Sequence, residues 1–155
     1  MTAILYLFIV ILLTCIDQYS KFLIVQNLTL GEKIILIEDF FSITHVRNYG
    51  AGFSILQNAT VFLSAVSILA IGILIYLLLH EKKLSVFSRS AYLLIISGAL
   101  GNLIDRLLKA YVTDFLDFLI FGYDFPVFNI ADCFITVGCL ILIAELLWES
   151  RNAAD

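Results

Sequence analysis

Residues 61–79 read VFLSAVSILAIGILIYLLL, nineteen positions without a charge. About 20 apolar residues, rising 1.5 Å each, cross the hydrocarbon core of a bilayer, so this stretch predicts a transmembrane helix. The composition agrees: 62% of the chain is hydrophobic and 14% charged, against about 45–50% and 25% in soluble domains. The chain reads as an integral membrane protein. Its 155 residues suffice for one domain. A net charge of −4, with Lys and Arg scattered, offers no basic face and excludes nucleic acid as a partner.

Working outward from 61–79, the next segment is charged: His80-Glu81-Lys82-Lys83, running on to Arg89. Ser90 to Ile104 is a further apolar run, closed by Asp105-Arg106 and containing Ser97-xxx-Gly101, a small-xxx-small spacing that permits close helix packing. An Asp-rich connection follows. Phe128 to Leu147 then forms another run, ending in Trp148, a residue suited to a membrane–water boundary. Pro126 just before it fits a helix start. Toward the N-terminus, Gly31, Glu32, Lys33, Glu38, Asp39 and Arg47 interrupt the hydrophobicity. Phe41-Ser42-Ile43-Thr44 alternates apolar and polar, as a half-buried strand does. Asn48-Tyr49-Gly50-Ala51-Gly52 suggests a tight turn using positive φ. The first run, Thr2 to Ile16, continues through Asp17 and Lys21 into Phe22-Leu23-Ile24-Val25. It lacks a basic start and a small-residue cleavage site, so it reads as a retained span rather than a signal peptide.

The expected architecture is therefore α-helical and membrane-integral. Four transmembrane helices lie at about 4–24, 59–79, 90–109 and 128–148. A small extracytoplasmic β-sheet segment, about 26–56, lies between helices 1 and 2, and a short amphipathic connection joins helices 3 and 4. Four spans place both termini on one side with the 80–90 loop. That side holds Lys82, Lys83, Arg89 and Arg151, and the other side holds Lys21, Lys33, Arg47, Arg106 and Lys109 over many more residues. Basic density thus favours cytoplasmic termini, although the raw count does not.

Cys15, Cys133 and Cys139 sit in apolar runs, with no CxxC pattern and no histidine nearby in sequence. They read as hydrophobic filler, and neither metal nor cofactor is expected. The chemistry lies elsewhere. Of the thirteen acidic residues, five fall within 98–132: Asp105, Asp114, Asp117, Asp124 and Asp132. An ionised carboxylate in apolar surroundings is costly and calls for a reason. Asp17 and Lys21 are spaced to pair on one helix face, as an interfacial anchor of the helix end. Gly98, Asn102, Asp105 and Arg106 share one face of the third helix, with Asp105 beside Arg106 as an ion pair. Asn129, Asp132 and Thr136 share a face of the fourth. In Val112-Thr113-Asp114-Phe115-Leu116-Asp117-Phe118, the alternation suggests an interfacial segment with its Phe side chains in lipid. If Asp114 or Asp117 meets Asp132, one proton is shared, and such a pair suits amide hydrolysis. Spacing alone does not choose between Asp114 and Asp117. No GxSxG or HExxH pattern offers another mechanism.

The chain resembles bacterial lipoprotein signal peptidase, the type II signal peptidase. The resemblance rests on Asp17-Gln18-x-x-Lys21, Asn48-x-Gly50-Ala51-Gly52-Phe53, Gly98 to Arg106 (GALGNLIDR), Val112-x-Asp114-Phe115 and Phe128-Asn129-Ile130-Ala131-Asp132, and covers nearly the whole chain. It implies a membrane-embedded aspartic endopeptidase domain spanning 1–155. Such an enzyme removes the signal peptide from prolipoproteins by cutting before a diacylglyceryl-modified cysteine. It implies Asp114 and Asp132 as the catalytic pair, with Asn48, Gly50, Asn102, Arg106 and Asn129 lining or supporting the site, beside the structural ion pairs of Asp17, Lys21 and Asp105 that the spacing suggests. It also implies a multi-pass protein of the bacterial cytoplasmic membrane, a monomer in contact with membrane lipid, with its site near the outer leaflet. The chain departs from the common pattern at Gly52 and Cys133. Two other classes compete: an ion-coupled carrier, against which stands the lack of ionisable residues in 61–79, and a structural subunit of a larger partner.

Overall fold

A computed structural model describes residues 2–50, 56, 58–81 and 83–152. Four helices are long and apolar enough to cross a membrane: α1 (Thr2–Asn27), α2 (Thr60–His80), α3 (Val86–Lys109) and α4 (Ile130–Asn152). All four expected spans are present; α1, α3 and α4 are longer than the sequence suggests, because those helices continue past the apolar core into the interface, and α2 has the expected length. In α3, 50% of the apolar window is buried within the protein, against 11% in each of the other three. That contrast makes α3 the central helix. Helices α1, α2 and α4 pack on it and turn side chains such as Phe8, Leu69 and Leu140 outward, where lipid is the expected solvent.

Small residues set the closeness of these contacts. A Cβ on Gly98 would collide with the Ala131 carbonyl oxygen of α4, and one on Gly138 would lie 2.8 Å from the Ala91 carbonyl oxygen of α3. Gly101 faces α1 instead, where the Asp17 carboxylate occupies its missing side chain's space. Ser97 lies on this face as well, its carbonyl accepting from Thr14 Oγ1 at 3.4 Å. The small-xxx-small pair thus serves the α1–α3 contact, as van der Waals packing between membrane helices requires.

The sheet is larger than expected. Four antiparallel strands, β1 (Lys33–Ile37), β2 (Phe41–Asn48), β3 (Val112–Ile120) and β4 (Tyr123–Phe128), pair in the order β1-β2-β3-β4. The connection between α3 and α4 is therefore a β-hairpin completing the sheet begun between α1 and α2. Pro126 lies in β4, a terminal strand, the sheet position that tolerates a residue lacking N–H. Phe115 is buried against Ile24 of α1 and Leu28 just beyond its end rather than turned to lipid. In β2 the polar Ser42 and Thr44 are the buried members and Phe41 and Ile43 the half-buried ones. Alternation predicted the strand but not which face would be covered. Asn48 and Gly50 are not among the positive-φ residues; Asn48 Oδ1 instead accepts from Gly50 N at 2.9 Å, an Asx turn. Ala51, Gly52 and Phe53 of the same motif lie outside the described residues.

Gly98→Ala should cost about 1–3 kcal/mol through overpacking of the α3–α4 contact, read as a lower unfolding temperature in detergent. Gly72→Ala, where a Cβ meets nothing within 4 Å, should not destabilise.

Candidate active site

The site is built on a buried lysine. Lys21 and Asp17, in the middle of the polar face of α1, are both fully buried, not interfacial as the sequence suggests. An ammonium has three donors, and Lys21 Nζ finds three acceptors: Asp17 Oδ2 at 2.9 Å, Asn102 Oδ1 at 2.9 Å and Asp105 Oδ2 at 3.5 Å. Each partner reaches onward. Asp17 Oδ1 accepts the Ala131 N–H at 2.9 Å, tying α1 to the first turn of α4. Asp105 accepts Lys109 Nζ at 2.9 Å and the Thr113 N–H at 3.0 Å, tying α3 to β3. Asp105 therefore pairs with Lys109 and Lys21, not with Arg106. Adjacent helical residues point about 100° apart, whereas i and i+4 lie on one face. Arg106 donates from Nη2 to the Gly50 carbonyl at 3.2 Å and so holds the turn that follows β2.

Asn102 passes this order to Asp132. Its Oδ1 must face the Lys21 ammonium, which only donates, so its NH₂ faces the other way and donates to Asp132 Oδ1 at 2.8 Å. Asp132 is also half of a capping box. Asn129 Oδ1 accepts the Asp132 N–H at 3.1 Å, and Asp132 Oδ2 accepts the Asn129 N–H at 3.2 Å. The spacing Asn-x-x-Asp at the head of an apolar run carries this signal, which a reading of helix faces alone misses. The carboxylate of Asp132 thus sits in the first turn of α4, where the positive end of the helix dipole favours negative charge.

Asp114 arrives from the sheet. Val46 pairs with Asp114 and Asn48 with Val112, so Asn48 is a diagonal neighbour of Asp114 on the same face. Asn48 Nδ2 donates to Asp114 Oδ2 at 2.9 Å, and Asn129 Nδ2 donates to Asp114 Oδ1 at 2.6 Å. Asn129, fully buried, therefore touches both carboxylates, and its second NH₂ hydrogen reaches Asn102 Oδ1 at 3.2 Å. Burial pushes the Asp114 carboxyl up to about 7, helped by the nearby Asp132 carboxylate and opposed by the Asn48 and Asn129 hydrogen bonds. Asp117 is elsewhere, across the strand on Lys33, 2.6 Å away, and Asp124 is exposed. Geometry thus separates the two aspartates that spacing leaves equivalent.

Asp114, Asp132, Asn48, Asn102 and Arg106 line one cavity of about 640 Å³. Its other walls are α2 (Leu63, Val66), α4 (Cys133, Val137) and the end of β4. It lies between α2 and α4, which both pack on α3 but have no comparable contact with each other. Among the described residues no group of three His, Cys, Asp or Glu side chains is arranged to hold a metal ion.

Fold and site together define a multi-pass membrane protein with a hydrogen-bonded carboxylate pair, one member buried in a small sheet and the other half-buried at the head of α4. Comparison with known proteins takes this further. Residues 9–148 match the family described as signal peptidase (SPase) II. A lipoprotein signal peptidase of Fusobacterium nucleatum is 42% identical over 148 residues, 95% of this chain and 88% of that one. One from Streptococcus pyogenes serotype M6 is 45% identical over 147 residues, 94% and 93% of the two chains. A bacterial membrane enzyme solved by the in meso method at 2.3 Å superposes with a TM-score of 0.89 at 37% identity, covering 95% of this chain and 90% of that one. The chain belongs to the signal peptidase II family and is a peptidase.

Two consequences are measurable. Lys21→Met strips the Asp17 carboxylate of its ion-pair partner, leaves Asp105 with Lys109, and should destabilise by about 3–5 kcal/mol, part of it recovered in the Lys21→Met/Asp17→Asn double variant, both read by thermal unfolding. Because the folded Asp114 keeps its proton where the unfolded one has lost it, stability should fall as pH rises from about 4 through about 7. Asp114→Asn should flatten that part of the profile.

Proposed function

We propose that this protein removes the signal peptide from prolipoproteins by cutting before a diacylglyceryl-modified cysteine, with Asp114 and Asp132 as an acid/base pair. The observation that carries the reading is that two aspartates from separate elements, Asp114 buried and Asp132 half-buried, are bridged by one asparagine and line one cavity. The pair holds one proton. It resides on Asp114, whose burial favours the neutral form, and the charge stays on Asp132 at the helix N-terminus. Asp132 takes a proton from water, and the water oxygen bonds to the scissile carbonyl carbon while Asp114 donates toward the carbonyl oxygen. Collapse breaks the C–N bond as the amine nitrogen is protonated, giving a signal-peptide carboxylate and a free lipidated cysteine amine. Asn48, Asn102 and Asn129 hold the pair, and Arg106 holds Gly50 at the edge of the cavity.

The position between α2 and α4 supports a substrate that is itself membrane-spanning, since such a segment reaches the cavity sideways from lipid without leaving the bilayer. The protein would act as a monomer in the bacterial cytoplasmic membrane, with both termini cytoplasmic and the sheet at the outer surface. Lipid-anchored substrates place their scissile bond at that surface.

Asp114→Asn and Asp132→Asn should each lower cleavage of a diacylglyceryl-modified precursor at least 1,000-fold with unfolding temperature near or above wild type; turnover retained in either would sink the assignment. Since Asp114 must carry the proton, kcat should fall as pH rises through about 7.

A further inference from the structure

The first strand of the sheet is apolar on both faces and covered on neither. β1 reads Lys-Ile-Ile-Leu-Ile, and all five residues are exposed. Ile34 pairs with Ile43 and Ile35 with Ser42. Neighbours in a strand point to opposite faces, so these two isoleucines open on different sides of the sheet, 46% and 62% exposed. The register slips only after them, between Ile35 and Ile37. In water such a strand is a template for aggregation. Its place in the fold gives it another medium. β2 and β3 rest on α1, with Phe115 of β3 against Ile24, whereas β1 packs on β2 and has no comparable contact with a helix. The sheet thus overhangs α1 by one strand, about 5 Å. The 26 residues of α1 rise about 39 Å at 1.5 Å each, more than the hydrocarbon core of about 30 Å and less than the 40–45 Å or so that includes the headgroups. The end of α1, and β1 shortly after it, therefore lie at headgroup level. Exposed apolar side chains lead there from the helix: Phe22, Leu23 and Val25, then Leu30, then β1.

We propose that β1 is seated edge-on in the leaflet where α1 ends, at the boundary of headgroups and acyl chains, with Ile34 and Ile35 reaching lipid from its two faces. At that level water still reaches the backbone of the strand, as the hydrocarbon core would not allow. A second copy paired edge to edge through β1 would cover backbone and leave both isoleucines open, and a protein seated on one face would leave the other. Lipid covers both. Glu38 and Asp39, exposed in the turn that follows β1, stay on the aqueous side. With acidic rather than basic neighbours the seating is hydrophobic, so salt does not loosen it. Because β1, β2 and β3 are joined in one sheet, the seating sets the height of Asp114 in the bilayer. It requires only that α1 crosses the membrane and is independent of the peptidase reading.

Fluorescence quenching reads the depth. Trp148 is the single tryptophan, so Trp148→Phe leaves one reporter when combined with Ile34→Trp, Ile35→Trp or Glu38→Trp. All three positions are exposed, and replacing them leaves the core intact. The full chain is reconstituted in phosphatidylcholine vesicles with and without bromine on the acyl chains, which quenches tryptophan on contact. Bromolipid should remove more than about half of the emission at 34 and at 35 and less than about a fifth at 38, unchanged in about 0.5 M NaCl. Strong quenching at only one of 34 and 35 would mean a sheet lying flat on the membrane. Quenching at neither would mean a strand in water, or one covered by a second copy or another protein. Quenching at 38 as strong as at 34 and 35 would place the whole hairpin in hydrocarbon. Each of these overturns the edge-on seating and leaves the peptidase reading untouched, which fails instead if Asp114→Asn still cleaves.

Discussion

A fully buried ammonium is the constraint on which this structure depends. Removing Lys21 from water costs several kcal/mol unless every donor is matched, and the three matches come from two helices: Asp17 in its own, Asn102 and Asp105 on the central one. Once these are fixed, the next atoms are fixed too. Asp17 fastens the first turn of α4 and Asp105 the first residues of β3. The two elements that carry Asp132 and Asp114 are therefore positioned by one cation. Replacing such a network with apolar side chains often costs a protein nothing in stability, so stability alone does not account for it. Here it gives geometry: the orientation of the Asn102 amide follows from Lys21 being a donor only.

The strands contribute precision of another kind. β2 and β3 have an extra residue in β2 between Ile43 and Val46, and β3 and β4 have one between Phe125 and Phe128. Without the first, the side chains of β2 beyond it would turn to the opposite face, and Asn48 would not lie beside Asp114. The left-handed Ala110 that ends α3, φ 63, costs about 1–2 kcal/mol in a residue with a Cβ. It lets β3 begin within three residues of the helix end, near enough for the Thr113 N–H to reach Asp105.

Much of this was legible in the sequence, and the boundary of legibility is physical. The spans were readable because lipid demands long uncharged runs, as in residues 61–79. The polar residues of the site stood out for the same reason, since an Asp or Asn in an oily helix is conspicuous. What escaped depended on long-range pairing. Nothing local distinguishes Asp114 from Asp117, which differ only in the face of β3 they occupy, nor announces that 112–128 joins the sheet begun at 33–48. Lys21 looked interfacial because its two buried partners on α3 are more than eighty residues away in sequence. The Asp105–Arg106 pairing erred more simply, since neighbours on a helix do not face each other.

The two aspartates differ in a way that suits unequal roles. Asp132 caps a helix, and its oxygens accept from an amide side chain and a backbone N–H at the positive end of a dipole. Asp114 lies in a strand with no helix end to favour its charge, and its burial favours the neutral acid. The proposed mechanism asks for a carboxylate to activate water and a carboxylic acid to polarise the carbonyl. A symmetric pair in one environment would leave the proton undecided. Here a helix terminus supplies one environment and a sheet the other, and Asn129 touches both. On the proposed mechanism this is what the sheet adds: four helices could supply two aspartates, and the sheet supplies the environment in which one of them serves as an acid.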